Sequence, residues 1–214
     1  MKTFIISIIL GVFLAFGYFY WKNNQSSLPI IKSLNLKPKE NFSVEKAPKD
    51  SLKGAVQSVS GSVKWQSRTA TEPAELKKET LIQQGEDLLT EKDGKLDIKF
   101  GDLAEIKIAS QSALSIIQTL PANIVFSQNY GAVEYEKLGQ TPVSIRSFHL
   151  IVIFDGKIKL ATDKISGIIT IEVEKGSAQA GFNDLQYISK VENLNEGQIW
   201  EFNDTKREMT LLSP

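Results

Sequence analysis

Cysteine is absent from the 214 residues, and histidine occurs once. Without thiols there are no disulfides, no thiolate metal sites and no cysteine nucleophile. The compartment's redox state stays undetermined, because a domain of this size with 42% hydrophobic content can live off its core. With His149 as the sole imidazole, zinc sites of the usual spacing cannot be assembled. A Ser-His-Asp triad would need His149 as its base, and no G-x-S-x-G elbow accompanies it. Gly94-Lys95 lacks the upstream glycine and the Ser/Thr of a phosphate-binding loop. An excess of one charge is missing too, since 25 Lys and Arg balance 25 Asp and Glu. That balance gives no reason to expect a nucleic-acid partner. These absences predict a chain that is not an enzyme and carries neither metal nor cofactor. His149, flanked by Phe148 and Leu150, reads as a hydrogen-bonded, packed strand residue. Two carboxylates cleaving a glycoside are the catalytic alternative, because such pairs are recognised by separation in space rather than in sequence.

Long uncharged stretches are also rare, with one exception. Residues 4–21 (FIISIILGVFLAFGYFYW) run for eighteen positions without a charge. As a helix they would be roughly 27 Å long, close to the ~30 Å hydrocarbon core of a bilayer. Tyr18, Phe19, Tyr20 and Trp21 would form an interfacial aromatic belt, and Lys22 ends the run. The run predicts a transmembrane signal anchor in contact with the lipid bilayer, preceded by a tail of residues 1–3. A cleaved signal peptide is the rival reading, but Ala15-Phe16-Gly17 is a poor cleavage site. Lys2 and the free amine on one side, against Lys22, Lys32 and Lys37 on the other, leave orientation undecided.

Residues 22–50 are rich in Lys, Asn, Ser and Pro, with Pro29, Pro38 and Pro48 spaced along them. They read as a flexible linker of roughly 30 Å r.m.s. span, and residues 28–36 could instead form a short surface helix. The linker holds six Lys against three acids, whereas residues 51–204 hold 16 basic and 21 acidic side chains. A net negative domain argues against binding a phosphate backbone. Many of its acids alternate with apolar residues, as solvated strand faces do.

From Gly54 the chain turns to short β-favouring runs. Lys95 to Phe100 (KLDIKF) alternates apolar and polar residues, and residues 105–108 repeat the pattern. Asp93-Gly94 and Asp155-Gly156 read as hairpin turns with the left-handed glycine of type I′. Asn129-Tyr130-Gly131, Lys175-Gly176 and Glu196-Gly197 add further turns. Strands are predicted at residues 148–154, 157–161 and 167–174, and a weak helix at residues 74–80. Gly54, Gly94, Gly131 and Gly176 recur about every 40 residues, too irregularly for a repeat family. The expected fold is all-β, with short strands stacked as a β-sandwich or solenoid-like domain over residues 51–204, followed by a tail of residues 205–214.

Residues 54–56 (GAV), 61–63 (GSV), 85–90 (GEDLLT) and 94–109 (GKLDIKFGDLAEIKIA) carry a family pattern. Residues 169–177 (ITIEVEKGS) and 194–201 (LNEGQIWE) continue it. Over about residues 54–204 the chain resembles the FecR-type domain, named for an extracytoplasmic regulator of ferric-citrate uptake. Gly101-Asp102 stands where the family has Asp-Gly, and residues 144–149 (SIRSFH) stand in for its R-G-T-x-F strand. The resemblance implies an extracytoplasmic domain of stacked short strands. Regulator members capture a sigma factor with a domain before the membrane helix, and residues 1–3 cannot form one. The sequence therefore predicts a single-pass, membrane-anchored extracytoplasmic module, structural or sensory, with a protein or cell-envelope polymer as partner. An enzyme acting on envelope polysaccharide and a transmembrane signalling subunit are the alternatives. The sequence names no binding residues.

Overall fold

A computed structural model describes residues 48–213. The expected tail, the anchor of residues 4–21 and most of the linker lie outside these residues. Within them the chain is all-β, and no helix is long and apolar enough to cross a membrane. Fifteen strands form one mixed sheet. They are β1 (Gly54–Ser60), β2 (Val63–Gln66), β3 (Ala74–Glu75), β4 (Leu81–Ile82), β5 (Asp87–Thr90), β6 (Lys95–Phe100), β7 (Ala104–Ile108) and β8 (Ser112–Leu120). The long β9 (Asn123–Lys137) and short β10 (Val143–Ser147) are followed by β11 (Leu150–Asp163), β12 (Ile168–Asn183), β13 (Ser189–Asn195), β14 (Ile199–Asn203) and β15 (Glu208–Ser213). The sheet thus continues past Asp204 to Ser213, because β15 pairs along β14.

Pairing divides the sheet into two rows that share β9, β11 and β12. The first row is β4, β1, β6, β7, the second half of β9, the second half of β11, the first half of β12, β14 and β15. The second is β3, β2, β5, β8, the first half of β9, β10, the first half of β11, the second half of β12 and β13. Alternate residues of both rows are buried in a single apolar core. Leu96, Ile98 and Phe100 on β6 and Ile124 and Phe126 on β9 show the period of two. Phe100, Phe126, Tyr135 and Phe154 come alternately from the two rows, with successive ring centroids 5.6, 5.9 and 6.3 Å apart. Tilted pairs of this kind contribute about 0.5–1.5 kcal/mol each beyond their area burial.

The rows are joined by corners rather than by hairpins. At the first corner, β1–β2 and β5–β6 bend together. Ser60 faces Lys95 before the bend and Val63 faces Thr90 after it. A Cβ on Gly61 would lie 2.2 Å from the Asp93 carbonyl oxygen, and one on Gly94 would lie 2.2 Å from that of Ser62. Each segment therefore needs glycine where the other's backbone crosses it. This corrects the reading of Asp93-Gly94. The Gly94 N–H closes a turn onto Glu91 O at 3.1 Å, but Gly94 is not left-handed and β5 does not pair with β6. Asp155-Gly156 is not a turn either, because β11 runs through it with Gly156 opposite Gly176 of β12. Asn129-Tyr130-Gly131 and Lys175-Gly176 also lie inside strands. A left-handed glycine bends each of these strands, but both halves find partners, so the chain does not reverse. Residues 74–80 are not helical. β3 pairs with β2, and the Leu76 N–H reaches Val63 O at 2.8 Å. Seven residues are too few to nucleate a helix against a ready sheet edge.

Candidate functional site

Four turns meet at one end of the domain. β10 runs parallel to β9 and delivers Ser147, Phe148 and His149 toward the bend at Gly131. The β11–β12 turn (residues 164–167), the β12–β13 loop (184–188) and the β14–β15 turn (204–207) end beside it. Hydrogen bonds knit them together. The Asp204 N–H donates to Gly167 O at 2.9 Å. The Asp204 carboxylate accepts the His149 N–H at 3.1 Å and faces its Nδ1 at 2.9 Å. Arg207 Nε donates to Asp204 O at 2.8 Å, and its Nη1 reaches Asn183 O at 3.4 Å. The corner at Gln111 belongs to the same end, since Ala109 N–H bonds Ala132 O beside Gly131.

The β11–β12 and β12–β13 turns each fold around an aspartate and send apolar groups outward, and the β10–β11 turn exposes Phe148. Asp163 accepts the Ile165 N–H at 2.9 Å and the Ser166 hydroxyl at 2.8 Å, and these hydrogen bonds hold its carboxyl below its ordinary value. Asp184 accepts the N–H groups of Gln186 and Ile188, both at 2.9 Å. The side chains left in solvent are large: Ile165 is 91% exposed and Tyr187 88%, with Phe148, Leu185 and Ile188 also exposed. Isolated exposed apolar residues are ordinary, but five on adjoining turns form a patch.

Backbone strain collects at the same end. Among the described residues the non-glycine residues with left-handed backbone are Gln111 (φ 53°), Phe148 (φ 48°), Tyr187 (φ 63°) and Arg207 (φ 55°), and all four lie here. Each costs of order 1–3 kcal/mol, and such residues concentrate at functional sites. The opposite end receives the chain. There the Leu52 N–H bonds Thr119 O at 2.6 Å, roughly 23 Å along β8 from the corner at Ser112.

His149 makes the expected hydrogen bond, but it sits exposed on a two-residue turn rather than packed in a strand. Among the described residues no Ser or Thr hydroxyl bonds its ring, and no cluster of three or more His, Cys, Asp or Glu could hold a metal. Burial raises the Glu86 carboxyl above its ordinary value, but this acid is a structural acceptor for Trp65 Nε1 at 2.9 Å and the Gln83 N–H at 2.7 Å. The sequence had marked none of the exposed apolar residues. The available signal was the placing of Ile165 and Tyr187 two and three residues after turn aspartates.

No family model matches the chain, and no curated protein matches it in sequence. Its fold is similar to that of two crystal structures, at 2.50 and 1.65 Å resolution, of a putative anti-sigma factor from Parabacteroides distasonis. Each superposes with a TM-score of 0.51 at 10% identity. The likeness is one of fold. It spans 58% of this chain and 58% of the Parabacteroides chain.

Proposed function

We propose that the chain is a non-catalytic regulatory or sensory module of FecR type. It is held at the membrane by residues 4–21, and its β domain is extracytoplasmic. It engages a partner protein through the turn cluster opposite its point of chain entry. The observation that carries this reading is the coincidence of the four strained non-glycine residues with five exposed apolar side chains at one end. Structures placed for packing alone have no need of bulky side chains on strained turn tips. The fold likeness to a putative anti-sigma-factor structure supports a regulatory or sensory module, and the sequence resemblance supports the extracytoplasmic side.

Two measurements test it. Replacing Ser213 by Cys gives the protein a single thiol, and a membrane-impermeant maleimide should label it in intact cells, after outer-membrane permeabilisation where that layer exists. Labelling only after the inner membrane is broken would discard the extracytoplasmic reading. A photo-crosslinking residue at position 165 or 187 should then trap one protein species that position 138, at the other end, does not. Equal trapping at all three positions would refute the site.

A further inference from the structure

The outer faces of the two rows differ in charge. The first row is gridded with cross-strand pairs, such as Lys107 opposite Glu134 and Lys159 opposite Glu172. Lys157 also bridges Glu134 and Glu174. From β2 to β13, the outward positions of the second row are mostly Ser, Asn, Gln, Ile and Val, with Lys64, Asp87 and Arg146 and, at the corner, Asp155 as charges. Lys64 is paired with Glu91 and Asp155 with Lys137. The Asp87 and Arg146 side chains are exposed and make no ion pair or hydrogen bond among the described residues.

These two charges lie on one register line across six adjacent strands. Gln66 pairs with Asp87, Asp87 with Ser115, Ser115 with Ser127, Ser127 with Arg146, and Arg146 with Ile151. Asp87 and Arg146 stand three strands apart, about 14 Å, which is too far to pair within one chain. They are equally distant from the boundary between β8 and β9. A two-fold axis running along that boundary, in the plane of contact, would set Ser115 on the partner's Ser127 and Asp87 on the partner's Arg146, twice over.

We propose that this face is a self-association surface whose occupant is a second copy of the chain, locked by two reciprocal Asp87–Arg146 pairs. A symmetric contact must be self-complementary, and this line of charges is so about a single axis. Six strands at about 4.8 Å and strand lengths of roughly 20 Å give on the order of 600 Å² per copy, somewhat below the ~800 Å² of a standard interface. The dimer is therefore reversible. The small serines at its centre let the two faces approach closely.

The test uses the full chain in a mild detergent, followed by sedimentation equilibrium. The wild type should show a concentration-dependent dimer. Asp87→Arg and Arg146→Asp each place like charges at both contacts and should raise the dissociation constant at least tenfold. An equimolar mixture of the two variants should recover the dimer, because one native pair and one swapped pair form between unlike chains. The double variant should recover it alone. Circular dichroism melting of each variant, at a concentration where the wild type is monomeric, should match the wild type, as both positions are exposed. A monomeric wild type, single variants that still dimerise, or a mixture that fails to recover would overturn the proposal.

Discussion

Placing a methyl group on either glycine of the first corner tests whether this fold is held by crossed backbones. Gly61→Ala meets Asp93 O at 2.2 Å and must also adopt φ 63°, while Gly94→Ala meets Ser62 O at the same 2.2 Å without that conformational strain. A left-handed alanine costs roughly 1–2 kcal/mol. Forcing two backbones about 1 Å apart in a packed region costs typically 1–3 kcal/mol. Gly94→Ala is therefore expected to lose about 2 kcal/mol and Gly61→Ala about 3–4 kcal/mol. Gly101→Ala is the control, since it has φ 55° and nothing within 4 Å of its added Cβ, and should lose only about 1 kcal/mol. The informative measurement is the double variant. Both methyl groups push the same two segments apart, so one displacement relieves both, and the double cost should fall below the sum of the singles by 1 kcal/mol or more. Equilibrium urea unfolding with a shared slope reads all four values. Gly94→Ala within 0.5 kcal/mol of wild type, or strict additivity of the pair, would refute the crossed-backbone account.

Two other buried groups carry sharp expectations. Glu86→Gln keeps an acceptor oxygen for Trp65 and Gln83 and should cost under ~1 kcal/mol, whereas Glu86→Ala orphans both donors and should cost about 1–3 kcal/mol. Because burial raises the folded carboxyl above its unfolded value, its contribution to stability is present below about pH 4.3 and is lost as pH rises through the folded value. Glu86→Gln should accordingly gain on wild type between acid and neutral pH, and a pH-independent difference in melting would contradict this. Tyr135 is buried, donates to Gln128 Oε1 at 3.0 Å, and has its hydroxyl pushed well above the ordinary tyrosine value by burial. Tyr135→Phe should cost about 1–2 kcal/mol and abolish the part of the alkaline tyrosinate absorbance that appears only on unfolding.

Much of the fold was legible because strands announce themselves by alternation. KLDIKF is β6 to the residue, and all-β architecture followed from many such runs. Turn chemistry was legible as glycine placement but not as geometry. Gly94, Gly131, Gly156 and Gly176 mark corners, yet a dipeptide cannot say whether its flanking strands pair with each other or with different neighbours. That depends on partners far away in sequence, such as Ser112 packed beneath Gly131. The site was not legible for the same reason. Phe148 and Tyr187 are 39 positions apart in the chain, and it is the hydrogen bonds through Asp204, Arg207 and Asn183 that bring their turns together. His149 read as a core residue because its neighbours are apolar. In the fold, Ser147 pairs with Leu150, and that tight pairing expels both intervening side chains into solvent.

The distribution of left-handed residues separates what the fold requires from what it tolerates. Where a corner needs that conformation for packing, as at Gly61, Gly156 and Gly176, the residue is glycine. At the turn cluster, beside Gly131 and Gly167, the same conformation is also taken by Phe, Tyr, Gln and Arg, although glycine would remove the strain. Tyr187 is the cleanest case, because it is 88% exposed and has little burial to lose. Tyr187→Gly should relieve about 1–2 kcal/mol of left-handed strain against about 0.5–1 kcal/mol of added chain entropy in the unfolded state. The expected net is a gain of about 0.5–1 kcal/mol, read as a higher urea midpoint with an unchanged slope. The same variant should abolish crosslinking of the partner from position 165. A stabilised variant that no longer engages its partner would show that the ring is kept for recognition at the expense of the fold. If Tyr187→Gly instead lowered stability by more than 0.5 kcal/mol, the ring would be a structural element of its own loop, and the turn cluster would lose its standing as the binding end.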